Sequence, residues 1–206
     1  MSASLRSSRA TFWHLGPDRL VAAVVCRSEA DDEPVLEACA ASYAAPTGRA
    51  LFAPGIVEVA WALGAGRLAH IAALGGGFCR VESFEPEPPR RGRRRAPVPD
   101  PGAATDTIAV IRDFEGLRVR AERHVVQQAA SLFRRARLHL LALDCEPCAI
   151  ATLSEVLGIA EGSGAKCQPL AAVSVRPEAE RAAEALGADL AVPVGLAVAW
   201  FGGRRA

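Results

Sequence analysis

Hydrophobic and polar positions alternate through the first part of the chain and then change period. "TFWHL" and "RLVAAVVC" are apolar, β-branched or aromatic runs on either side of Gly16-Pro17-Asp18, residue types that favour a tight turn. They read as two strands of a hairpin. "PVLEACAASYA", 34–44, sets Val35, Glu37, Cys39, Ala41 and Tyr43 against Leu36, Ala38, Ala40 and Ser42. It reads as a third strand, although its alanines suit a helix too, and the three together predict an antiparallel meander. From Pro54 the period lengthens. Ile56, Val59, Ala60 and Leu63 recur at helical spacing, and Gly64 and Gly66 close the helix. "RLAHIAALGGGFCRVESFEP" then gives a short apolar strand, a glycine loop at 75–77 and a second extended segment.

In the second half, "TIAVIRDFEGLRVRAERH" reads as a hairpin turning at Glu115-Gly116. Val125, Ala129, Leu132, Phe133 and Ala136 share one helical face. A strand over 139–143 leads into a helix ending at Gly158. "EGSGAKCQP" is a loop, "LAAVSV" a strand, and "PEAERAAEALGA" one or two helical turns. "DLAVPVGLAVAWFG", from Asp189 to Gly202, is nearly all apolar but shorter than the about 20 residues a membrane helix needs. Pro193 and its glycines interrupt it, so it predicts a helix buried on most sides. Strands lead and strand–helix units follow, which is an α/β or α+β chain with a mixed sheet.

The segment 85–106 breaks this pattern. It is rich in proline and arginine, has almost nothing to bury, and reads as a disordered or extended loop. The chain of 206 residues is half hydrophobic with net charge +1, enough for one domain with a core or for two small subdomains. That balance gives no global reason to expect nucleic acid or membrane as a partner. No apolar h-region follows "MSASLRSSRA", and "LVAAVVC" is too short to span, so the expectation is a cytosolic chain with neither signal peptide nor membrane helix. The six cysteines show no disulfide framework and would stay reduced there.

Three stretches in succession carry a resemblance: "LRVRAERHVVQQAASLFRRARL", "LHLLALDCEPCAIATL" and "LAAVSVRPEAERAAEALGADLAVPVGLAVAWF". With the opening "FWHLGPDRLVAAVV", they are similar to the PilM-like assembly proteins of type IV pilus and DNA-uptake (competence) machines, in particular the short, divergent HofM-like branch. The resemblance implies an α/β, truncated actin-like (ribonuclease-H-like) fold with mixed sheets and flanking helices, as one domain over 1–206. It implies a bacterial cytoplasmic scaffold, peripheral at the inner membrane, that binds partners rather than turning over substrate. The implied partner is the cytoplasmic N-terminal peptide of a PilN-like bitopic inner-membrane protein, held in a groove. Full-length members bind ATP with Mg through Asp-Ile-Gly-type turns and a later glycine-rich turn. Here "HLGPDRL" has no Asp before Gly16, and the segment for the second turn is missing, so the nucleotide site is expected to be lost and no cofactor is expected. The competing readings are a degenerate but active ATPase of the same fold and a C-x-x-C thiol protein.

Few residues carry chemistry by pattern. Gly162, Ser163 and Gly164 of "EGSGAK" offer backbone N–H groups that could cradle an anion, but lack the Gly-Lys-Ser/Thr ending of a P-loop. A plain connection is the simpler reading. Cys145 and Cys148 form a C-x-x-C at a helix start, where thiol pKa values fall. Zinc would need a second pair of ligands, and only Cys167 and dispersed histidines offer themselves, so small-residue packing with Asp144 as N-cap is favoured and no metal is expected. Arg90, Arg91, Arg93, Arg94 and Arg95 form a basic cluster suited to a solvated loop or to anionic lipid, with no interleaved aromatics for specific nucleic acid. His14, His70, His124 and His139 lie singly in different elements and make no catalytic set. Asp18, Asp144 and Asp189 read as turn and cap residues.

Overall fold

The structure, a computed structural model, describes residues 8–28, 33–83, 108–114, 117–159 and 168–202. β1 (Arg9–Leu15), β2 (Arg19–Arg27) and β3 (Pro34–Tyr43) form the expected antiparallel meander. Next come α1 (Ile56–Ala62) and β4 (Ala69–Leu74), which pairs parallel with β1. A single 3-10 turn at Gly76–Phe78 leads into β5 (Cys79–Ser83). β6 (Ile108–Phe114) and β7 (Leu117–Glu122) pair antiparallel, and β5 adds to the other side of β7. α2 (Arg123–Arg135), β8 (His139–Cys145) and α3 (Glu146–Val156) follow, with β8 parallel to β4. β9 (Ser174–Val175), α4 (Pro177–Leu186) and α5 (Ala191–Gly202) complete the described chain.

The main sheet runs β8-β4-β1-β2-β3-β9, and only β2 opposes the other strands. This mixed order, flanked by helices, is the actin-like, ribonuclease-H-like arrangement. The second sheet runs β5-β7-β6.

The period-two pattern explains the layering. On β1 and β2, Ala10, Phe12, Val21, Ala23 and Val25 face one core, which α3, α4 and α5 cover. Trp13, Leu15, Leu20, Ala22 and Val24 face the other, covered by α1 and α2. Both strands are buried on both faces, so they read as continuous apolar runs. Edge-to-face rings fasten each layer: Phe12 on Phe201, with centroids 5.7 Å apart, and Trp13 on Phe133 at 5.6 Å.

The last apolar segment is a core helix. Nine of the twelve residues of α5 are buried, from Ala191 through Val198 and again at Phe201, against α3 and the sheet. α4, a 3-10 turn at Gly187–Leu190 and α5 join into a helical run, Pro177–Gly202, of 26 residues. By length and composition alone that run would cross a membrane, unlike the shorter stretch the sequence marks out.

Three local expectations are corrected. "LAAVSV" is mostly a 3-10 turn, Pro169–Ala172, followed by a two-residue strand that pairs only with Val35 and Leu36. Pro169 has no N–H to give a ladder, and the helix at Pro177 begins at once. "PEAERAAEALGA" is a ten-residue helix, with Pro177 pre-set for its first turn and Ala179 and Ala183 buried. Asp144 is not the N-cap of α3. Cys145 holds that place, because the strand continues through it, and Asp144 Oδ1 accepts the Cys145 N–H at 2.9 Å. The Glu115-Gly116 turn, the 85–106 segment and "EGSGAK" lie outside the described residues.

Candidate functional site at the strand ends

Three parallel strands stop side by side. Leu15 of β1 is level with Leu74 of β4, and Leu74 with Cys145 of β8. Each is followed by a turn or helix start: Gly16-Pro17-Asp18, Gly75-Gly76-Gly77 and Glu146. In open sheets of this kind, the crevice beyond the carboxyl ends of parallel strands is where ligands bind.

Backbone bonds close the first turn and tie it to the glycine turn and to Ala53. Gly16 N–H donates to Arg19 O at 2.9 Å, Gly75 N–H to Leu15 O at 2.9 Å, and Ala53 N–H to Gly16 O at 3.0 Å. The glycine turn lies close against its neighbours. A Cβ at Gly75 would stand 3.2 Å from Leu15 O, and one at Gly76 3.2 Å from Glu146 Oε2.

At the centre lie His14 and Glu146. His14 is buried on the same face of β1 as Phe12, and its Nε2 stands 3.6 Å from Glu146 Oε2. Glu146 also accepts the Gly76 N–H. The His14 imidazole, with the Gly76 N–H, holds this carboxyl down at about 2, against the opposing effect of partial burial. Glu146 opens α3, where the helix dipole favours negative charge. A carboxylate therefore caps the glycine turn.

The meander and the 3-10 turn before α5 are joined across the edge of the site. Asp189 accepts Arg19 Nη1 at 2.8 Å and the Tyr43 hydroxyl at 2.7 Å. On either side of Glu146 in the chain, Cys145 and Cys148 pack against Cys79 and Val119.

The remaining histidines do not enter this cluster. His70, fully buried on the other face, accepts the Trp13 indole N–H at its Nδ1, 3.0 Å away. His124 pairs with Glu122 at 3.0 Å, and His139 opens β8. Of the residues singled out by pattern, Asp144, Cys145 and Cys148 come together. Arg90, Arg91, Arg93, Arg94, Arg95, Gly162, Ser163, Gly164 and Cys167 lie outside the described residues. Sequence reasoning missed the His14–Glu146 pair and the approach of Cys79. The signal for both was the triple glycine directly after an apolar strand, which folds the chain back across the strand ends.

No family model matches the chain, and no curated protein matches it. Among solved structures it is similar to a "PilM-PilN type IV pilus biogenesis complex", with TM-score 0.50 and 19% identity over 73% of this chain. It spans 52% of that chain, about half its length. It also aligns with the cytoplasmic domain of EpsL, an inner-membrane component of the type II secretion system of Vibrio cholerae. There the TM-score is 0.39 and the identity 12%, over 68% of this chain and 57% of that one. At 19% identity the likeness to the first of these is one of fold.

Proposed function

We propose that this chain is a cytoplasmic assembly protein of a type IV pilus, secretion or competence machine. In this reading it binds the cytoplasmic N-terminal peptide of a PilN-like inner-membrane protein. The observation that carries the reading is the shared fold with a PilM chain solved as a PilM-PilN complex. It is a binding role, not turnover. Glu146 fills the glycine turn at the strand ends and presents negative charge there, which opposes a nucleotide phosphate. The arginines at 90–95 would add contact with anionic lipid, at about 1 kcal/mol each near the surface.

The test is a fluorescence titration of the full chain with the N-terminal peptide of the PilN-like protein encoded beside it, with a scrambled peptide as control. A short peptide that orders on binding should give a Kd on the order of micromolar for the native order only. Equal, salt-sensitive binding of both peptides would reduce the interaction to charge. Binding of neither by the folded chain would remove the partner assignment. A thermal shift with Mg-ATP accompanied by phosphate release would replace the binding role with that of an ATPase.

A further inference from the structure

The thiol cluster beside the strand ends has no part in that reading. Cys79 opens β5, Cys145 ends β8, and Cys148 lies in the first turn of α3. Far apart in sequence, they meet because the glycine turn after β4 returns the chain over the end of β8. The Cys79, Cys145 and Cys148 side chains pack together with Val119 in one small cluster. The donor atoms of Asp144, Cys145 and Cys148 all lie within 4.8 Å of one another.

We propose that Cys79, Asp144, Cys145 and Cys148 form a structural zinc site that locks the three-stranded sheet to the end of the main sheet. Zinc takes four thiolate, imidazole or carboxylate ligands at tetrahedral corners, and sulfurs at about 2.3 Å from the metal stand about 3.8 Å apart. The donor atoms of Asp144, Cys145 and Cys148 are within about 1 Å of that spacing, and Cys79 packs beside them. The spacing C-x-x-C at a helix start supplies two corners. Cys79 and Asp144 supply the rest.

Burial distinguishes a metal site from a redox pair. Cys145 is 0% and Cys148 4% exposed. Thiol–disulfide exchange requires a sulfur that an attacking thiolate can reach, whereas a closed metal site does not. Zinc binds thiolates, so binding releases the thiol protons to solvent and affinity should fall as pH falls.

The experiment uses the full chain, purified under reductant, stripped with chelator, then titrated with zinc alone and with cobalt(II) as a spectroscopic probe. The expected result is one equivalent bound, tetrahedral thiolate–cobalt absorption, and a rise in Tm on zinc addition. Cys79→Ser, at a half-buried position, should weaken zinc by more than about tenfold, the lower bound for losing even an outer partner. Asp144→Asn should weaken it too, and Cys39→Ser, in β3, should change nothing. Cys79→Ser keeps the test decisive if Cys145→Ser fails to fold. Absence of binding, or binding unchanged in Cys79→Ser, would overturn the site. So would a Cys145–Cys148 disulfide in protein whose thiols were trapped at lysis, which would make the pair a redox couple.

Discussion

Gly195 of α5 lies against the main chain of Ala149 in α3: a Cβ at position 195 would stand 2.1 Å from the Ala149 carbonyl oxygen and 2.7 Å from its carbon. The obstacle is backbone, so no side-chain rotation relieves it. Both helices sit in the core that covers β1 and β2. Gly195→Ala is therefore expected to separate α3 from α5 and to cost about 3 kcal/mol or more. Gly202→Ala is the control, since nothing lies within 4 Å of that position. Urea denaturation of both variants checks this. A Gly195→Ala protein within about 0.5 kcal/mol of wild type would mean that the two helices do not pack in this way.

The elements that could be read from the chain are those whose period and burial agree. β1 and β2 are apolar on both faces, α2 repeats Val125, Ala129 and Phe133 on one face, and α5 is apolar all round. β9 was illegible because two residues of pairing leave no period to detect, and proline chemistry sets the segment before it. The site was illegible for a different reason. His14 and Glu146, or Cys79 and Cys145, become neighbours only when three parallel strands end level; the triple glycine marks the turn, but no local pattern encodes that register.

Glu146 should make the fold acid-sensitive in a defined window. Its carboxyl is held at about 2 in the fold, against about 4.3 in an unfolded chain. A lowered folded value means that the contribution is complete above the unfolded value and lost as pH falls toward 2. Stability should decline between about pH 5 and 2, and Glu146→Gln should flatten that limb. Denaturation curves collected across the range decide it. An unchanged slope in Glu146→Gln would assign the acid sensitivity to other carboxylates.

His70 acts in a higher window. Burial, helped by nearby His139, lowers its pKa to about 4, so it stays neutral in the fold and accepts from Trp13. Unfolded, it titrates near about 6.5, so its contribution is full above that value and lost as pH falls toward 4. His70→Leu should remove this dependence but leave the buried Trp13 N–H unpaired, at about 1–3 kcal/mol at neutral pH. Proton NMR of the His70 ring is the direct measurement. A midpoint near 6.5 in the folded chain would show an imidazole in contact with water.

The connection between β5 and β6 has a minimum length that the sheet dictates. Both strands flank β7 and run the same way, with Ser83 opposite Leu117 and Ile108 opposite Glu122. The chain must return along β7 by about 17 Å and cross two strand spacings of about 10 Å together, a span of about 19 Å. About six fully extended residues cover that distance, and a few more are needed to clear the sheet face. Deleting 90–101 leaves twelve residues between Phe84 and Thr107, enough to cross, and removes the arginine cluster. Halving such a loop changes closure by only about 0.6 kcal/mol, so cooperative unfolding should persist. Deleting 86–105 leaves four residues, which cannot span the sheet, and should detach β6 from β7. Hydrogen exchange of the β6 amides that point toward β7 reads out that loss. Protection retained in the four-residue variant would show that β6 does not pair in this register.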